Sequence, residues 1–325
     1  MGLRAALPLL VPLSLGSVLG AVLLGPAGIP PGEALGALLH PGVHQLPGLI
    51  VWGIRLPRAA LSFLVGAALS LSGAVMQGMF HNPLASPYVL GVAGGAAAGA
   101  AGVIAAGIRG VVPVPLGAFL GAAVAVAAVY RLGRGGRSGL GLVLAGVAVG
   151  SLLTAVTSFM LFLAAGDRRL AEIVFWTMGS FGRADWPRVG LLAPVVAAGF
   201  LALWVLGRRT NALALGDEGA RYLGVDPVRL RRLLLFWATL LTAASVSAAG
   251  TVGFVGLVVP HLARLAVGPD HRALLPVAAL GGGILLVWAD ALARVVLAPA
   301  ELPVGIVTAL IGGPFFLWLL RRRLR

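Results

Sequence analysis

The sequence predicts an all-α integral membrane protein of about ten transmembrane helices with both termini in the cytoplasm. Three observations carry this reading. Of 325 residues, 59% are hydrophobic and only 10% are charged, where soluble domains carry about a quarter. Mean hydropathy is +1.02, and several uninterrupted apolar runs reach the roughly 20 residues that cross a bilayer as a helix. The arginines, finally, distribute unevenly between the two ends of those runs. A β-barrel is excluded, because its strands alternate apolar and polar residues.

The apolar runs, taken in order, lie near 5–25, 59–80, 88–108, 112–130, 140–165, 189–207, 230–250, 252–267, 273–297 and 304–320. The first follows Arg4 and reads as an uncleaved span, because it lacks a small-residue cleavage site. The eighth is short and has the length of a half-helix. Stretches such as GVAGGAAAGAAG and GGGILL are rich in small residues, which let helix backbones approach closely where lipid supplies no hydrophobic drive. Residues 1–325 read as a single transmembrane domain, with a cytoplasmic loop at 211–228.

All 24 basic residues are arginine, against 10 acids, for a net charge of +14. Under the alternation of ten spans, sixteen arginines fall on one side, including the 208–232 cluster and the terminal RRRLR, and eight on the other. The positive-inside bias puts the richer side, and both termini, in the cytoplasm. Such arginines read as membrane anchors and not as a nucleic-acid surface. With no lysine there is no Walker A loop and no Schiff base. With no cysteine there is no thiolate metal site and no cysteine nucleophile. No metal or cofactor is expected on this chain, and no catalytic residue.

Four polar segments stand apart from the packing pattern. In MFHNPLASPYVLG (79–91), Pro83 and Pro87 forbid a continuous helix and Asn82 favours a turn. A stiff, re-entrant-like turn results, either a connector or a constriction at the cytoplasmic mouth of a pathway. The segment NALALGDEGARYLGVDPVRLRR (211–232) predicts short amphipathic helices broken at Gly216 and Gly224. Asp226 and Pro227 there resemble an N-cap and a first-turn proline. Its apolar residues either pack back on the protein or meet a cytoplasmic partner. WGIRLPRAA (52–60) sets Arg55 and Arg58 outside. In WADALAR (288–294), Asp290 and Arg294 stand at i,i+4 in the order that favours an ion pair.

RLPR (55–58), GAALSLSGAVMQGMFHNPLASPYVLGV (66–92), FWTMGSFGRADW (175–186), LALGDEGARYLGV (213–225), GFVGLVVPHLAR (253–264), ADALAR (289–294) and ELPVGIVTALIGGPFFLWLL (301–320) occur in that order over nearly the whole chain. Together they resemble the permease subunits of ATP-driven importers for iron complexes and cobalamin, the FecCD-type family of type II ABC importers. The resemblance implies a homodimer in the cytoplasmic (inner) membrane with the pathway at its interface. Two cytoplasmic ATPase subunits would carry ATP-Mg, and an extracytoplasmic substrate-binding protein would deliver a metal chelate. A ferric siderophore or haem is favoured, with cobalamin next. By position, Gly216, Asp217, Ala220, Arg221, Leu223 and Gly224 match the coupling helices that meet the ATPase. Asn82 and Leu84 match a cytoplasmic gate, and RSGLG (137–141) lies where some members have a second one. Arg55, Arg58 and Arg294 match outward arginines that pair with glutamates of the binding protein. The rival reading, an ion-coupled secondary transporter, needs a membrane-embedded carboxylate. Asp290 is the one strong candidate, and Arg294 neutralises it.

Overall fold

A computed structural model describes residues 3–25, 28–40, 45–108, 110, 112–133 and 139–323. Among them every regular element is helical: α1 (Leu3–Leu23), α2 (Pro31–Leu39), α3 (Gln45–Ile50), a π-helical turn (Val51–Arg55), α4 (Leu56–Met79) and a 3-10 turn (Pro87–Leu90). There follow α5 (Val92–Ala105), α6 (Pro113–Gly133), α7 (Gly139–Leu163), α8 (Arg168–Thr177) and α9 (Trp186–Ala212). The last are a 3-10 turn (Leu213–Leu215), α10 (Gly216–Tyr222), α11 (Pro227–Ala249), α12 (Val255–Val267), α13 (His271–Val295) and α14 (Val304–Arg323). Seven helical stretches are long and apolar enough to cross a membrane, and Val92–Ala105, Val255–Val267 and Val304–Leu319 are shorter apolar helices. These ten coincide with the ten expected spans. The helices α2, α8 and α10 are additional, and α14 continues through Pro314.

α4 is the central post. It packs against α9, α11, α12 and α13. Gly66 and Gly73 lie two turns apart on one stripe. A side chain on Gly66 would fall onto the Gly282 carbonyl of α13, and one on Gly73 onto the Gly256 carbonyl of α12. α5 and α6 use the same device in antiparallel register, with Gly95 against Gly121 and Gly99 against Gly117. The glycine richness is therefore close helix packing, as read from the sequence. α7 packs thinly, and Leu144, Val147, Leu152, Phe159 and Phe162 remain exposed along it.

Two chain breaks explain the shortness of α5 and α12. Before α5, residues 80–91 re-enter the helical bundle, and Pro87 comes to rest against Gly256. Before α12, Gly250 and Phe254 adopt left-handed φ of 73° and 66°. The breaks are tied together, since the Tyr88 hydroxyl donates to the Val252 carbonyl (2.8 Å) and accepts from the Val252 N–H (3.3 Å).

Candidate functional site

With 24 residues, α4 is about 36 Å long at roughly 1.5 Å per residue, and functional candidates gather at both its ends. At the outer end sits a hub of charge. Arg58 reaches Asp290 through Nε (3.0 and 3.1 Å) and Nη2 (2.9 Å), and Glu301 through Nη1 (2.8 and 3.0 Å). Arg294 completes the carboxylate from the next turn of α13, with Nε 3.3 Å from Asp290 Oδ2. The i,i+4 pair expected from the sequence is present.

Other guanidinium donors of the cluster cap α1. A helix ends with carbonyls that have no partner in the helix, and cations are favoured there. Arg55 Nη1 donates to the Val22 and Leu23 carbonyls (3.1 and 3.2 Å), and Arg294 donates to Leu24 and Ala21 (3.1 Å each). Arg55, Arg58 and Arg294 are thus 3%, 6% and 3% exposed. This corrects the expectation that they face outward. The reason is tertiary, because α1 and α13 bring acceptors that local sequence does not display. The π-helical turn before α4, in which the Leu56 N–H bonds the Val51 carbonyl, also re-aims the pair. Arg55 goes to α1 and Arg58 to α13, and not to one shared face.

Beside the hub opens a cavity of about 1050 Å³ whose walls include α8, residues 180–188, the end of α11 and Glu301. α8 forms because Asp167 caps it by accepting from the Arg169 N–H. Among the described residues, four arginines (168, 169, 183, 188) and four acids (Asp167, Glu172, Asp185, Glu301) line the cavity. Arg183 pairs with Glu172 (2.7 Å) and Arg169 with Asp167 (3.1 Å). In the sequence these arginines bear only on orientation. An Asp167 cap before an amphipathic run is the local signal for α8.

At the inner end, the 80–91 turn meets the 211–226 segment. Asn82 is exposed, and its Oδ1 accepts from the Leu84 N–H (3.0 Å); Leu84 is half-buried. His81 Nε2 lies 2.8 Å from the Leu213 carbonyl. The root of the segment is clamped to α13. The Asn211 side chain donates to Asp270 (2.6 Å) and accepts from the His271 N–H (3.0 Å). Arg272 stacks 4.5 Å above Trp204.

α10 is braced by the bidentate pair of Asp217 and Arg231 (2.6 and 3.0 Å). Asp226 caps α11 by accepting from the Val228 and Arg229 N–H groups (2.9 and 3.1 Å). The backbone N–H of Arg229 above all, with that of Val228, holds the Asp226 carboxyl below the usual carboxylate range. Gly216 and Gly224 adopt left-handed φ of 80° and 73°, which places both helix breaks where the sequence put them.

Of the expected coupling residues, Gly216, Arg221, Leu223 and Gly224 are exposed and Asp217 is half-buried. Ala220 is fully buried against its own chain, which corrects its expected contact with a partner; a methyl on the inner face of so short a helix is needed to seat it. Leu215, Tyr222 and Leu223 are 65%, 91% and 60% exposed. Of the RSGLG segment, Arg137 and Ser138 lie outside the described residues, and the rest opens α7.

A profile of the FecCD transport family matches residues 13–322. The cobalamin import system permease protein BtuC of Halobacterium salinarum is 48% identical over 292 residues, covering 89% of this chain and 78% of that protein. The hemin transport system permease protein HmuU of Yersinia pestis is 42% identical over 284 residues, with 84% of each chain covered. A solved structure described as a metal-chelate type ABC transporter in an inward-facing conformation superposes with a TM-score of 0.88 at 31% identity, covering 98% of this chain and 99% of that one. Matched by that profile over nearly its whole length, the chain belongs to the FecCD transport family, whose members are membrane permeases of ABC importers.

Proposed function

We propose that the chain is the homodimeric permease of an inner-membrane importer for a macrocyclic metal chelate, a corrin or a porphyrin, driven by two cytoplasmic ATPases. The observation that carries this is the inner segment. Leu215, Tyr222 and Leu223 stand exposed at the two ends of α10, a short helix held rigidly at its base. An exposed apolar cluster so fixed is a contact awaiting a partner, and the family supplies an ATPase for it. ATP-Mg belongs to that subunit, and this chain needs no cofactor of its own. Asn82 and Leu84 form the cytoplasmic gate above it.

Similarity to both a cobalamin and a hemin permease supports the macrocycle class over a linear siderophore. The roomy outer cavity, whose described lining holds as many acids as arginines, fits a chelate that must pass without being trapped. The uncovered apolar face of α7 is assigned to lipid and to the second copy. A binding protein engages the outer end. Arg55, Arg58 and Arg294 can serve it only by exchanging internal partners, and Glu301, with its side chain 36% exposed, is the one an incoming glutamate replaces. The ion-coupled alternative loses its candidate, because Asp290 is held by two arginines.

The test is Leu223→Asp. Co-purification with the ATPase and ATP-driven uptake of cyanocobalamin or hemin in proteoliposomes should both collapse. Full coupling in that variant would return α10 to mere packing. Uptake of a ferric siderophore but of neither macrocycle would overturn the substrate class.

A further inference from the structure

We infer that His81 is the positioning residue that carries motion of the coupling segment into the cytoplasmic gate. Its Nε2 is 2.8 Å from the carbonyl of Leu213, the first residue of the 3-10 turn that leads directly into α10. A carbonyl oxygen only accepts, so Nε2 bears the proton. The bond joins two segments 132 residues apart, and both are candidates for the transport cycle.

The backbone is shaped for this contact. His81 has a φ of 50°, a left-handed conformation uncommon outside glycine, asparagine, aspartate and histidine. It turns the chain sharply out of α4 and keeps the imidazole against Leu213. The next residue is Asn82. Its N–H donates to the Gln77 carbonyl (3.1 Å), its own carbonyl accepts from Ala85 (3.0 Å), and its side chain holds Leu84. The Gln77 side-chain amide in turn donates to the Leu257 carbonyl of α12 (3.1 Å). A displacement of Leu213 therefore reaches Asn82 and Leu84 through one imidazole, and the broken span α12 through Gln77. On the other flank, Asn211 fixes the same root to α13, so the Leu213 carbonyl moves with a rigid base.

This inference rests on the ATPase-coupling role of α10. A partner shifts a gate equilibrium only through contacts that differ between its two states. Losing one net hydrogen bond changes such an equilibrium by about fivefold.

The experiment uses the complete transporter in proteoliposomes and reads cyanocobalamin, and separately hemin, taken up per ATP hydrolysed. His81→Gln keeps a donor at the reach of Nε2. His81→Asn suits the left-handed backbone but stops short of Leu213, and His81→Gly suits it with no donor. Uptake per ATP should stay near wild type in Gln and fall about fivefold in Asn and Gly, while all three still co-purify with the ATPase. The opposite order, Asn and Gly intact with Gln impaired, would mean that backbone conformation alone matters, and equal coupling in all three would mean that neither it nor the bond does; either result overturns the role of His81. Leu223→Asp, run in parallel, separates the two claims. If it dissociates the complex while His81→Asn couples normally, only the role of His81 fails. If it too leaves coupling intact, both fail.

Discussion

At the outer end of α4, three arginines lie buried and bonded within the chain. At the inner end, Leu215, Tyr222 and Leu223 stand in the open. Composition alone suggests the reverse, and partners account for the difference. The outer arginines find two carboxylates and the orphan carbonyls of α1, and a buried charge persists only when it is so paired. The inner apolar residues lie at the two ends of a seven-residue helix that seats one face, through Ala220, and among the described residues has nothing to cover the other. One end satisfies itself and the other is built to be satisfied by a second protein.

The largest expected effect breaks the outer end. Asp290→Ala leaves Arg58 and Arg294 facing each other without their shared carboxylate. Removing one partner of a buried pair costs about 3–5 kcal/mol, so thermal unfolding of the detergent-solubilised permease should occur many degrees lower. An unchanged unfolding temperature would show that the hub is solvated, and the contrast between the ends would collapse.

Next comes the post between them. Gly73→Ala drives a methyl onto the Gly256 carbonyl, an overpacking of about 1–3 kcal/mol. Gly253→Ala enters open space and is the matched control. Equal stability of the two variants would mean that α4 and α12 part easily, and that the post is not rigid enough to separate its ends.

A smaller effect is expected at Asp217→Asn. Its pair with Arg231 is 41% and 31% exposed, and pairs of that kind contribute about 0–1 kcal/mol. Hydrogen exchange in α10 should quicken modestly, and 1 M salt should produce much of the same change in the parent protein, since the Debye length there is only about 3 Å. The hub should ignore that salt. Equal salt sensitivity at the two ends would remove the distinction.

The smallest effect concerns acid. The Asp226 carboxyl titrates below its unfolded value, so its cap contributes stability above the unfolded pKa of about 3.9 and loses it as pH falls through the lower folded value. Exchange at the start of α11 should rise only in that acidic window, and Asp226→Ala should abolish the pH step. A step centred near neutrality would point to another group.

Much of this architecture was legible from residues alone. Ten apolar runs, an arginine bias and the Asp226-Pro227 cap are local signals, readable because a helix needs only its own stretch of chain to declare itself. The left-handed glycines at 216 and 224 and the Asp290–Arg294 pair belong to the same class. Less legible are α8, signalled only by its Asp167 cap, and the tie from His81 to Leu213, for which no local pattern exists. Ala220 was assigned outward, because a short helix does not announce which side it will seat.

By itself, the sequence determined that this is a polytopic helical protein with its arginine-rich face inward and a capped, broken segment between its sixth and seventh spans. Those properties follow from hydropathy, charge and backbone chemistry within a few turns. Only the tertiary structure decided where the charges went. Arg58 meets Asp290 across 232 residues and Arg294 meets Leu24 across 270, and both contacts depend on glycine-lined helices crossing closely enough to bring the ends of α1, α4 and α13 together. A guanidinium next to lipid or water is indistinguishable, in one dimension, from one beside a carbonyl that arrives from the far end of the chain.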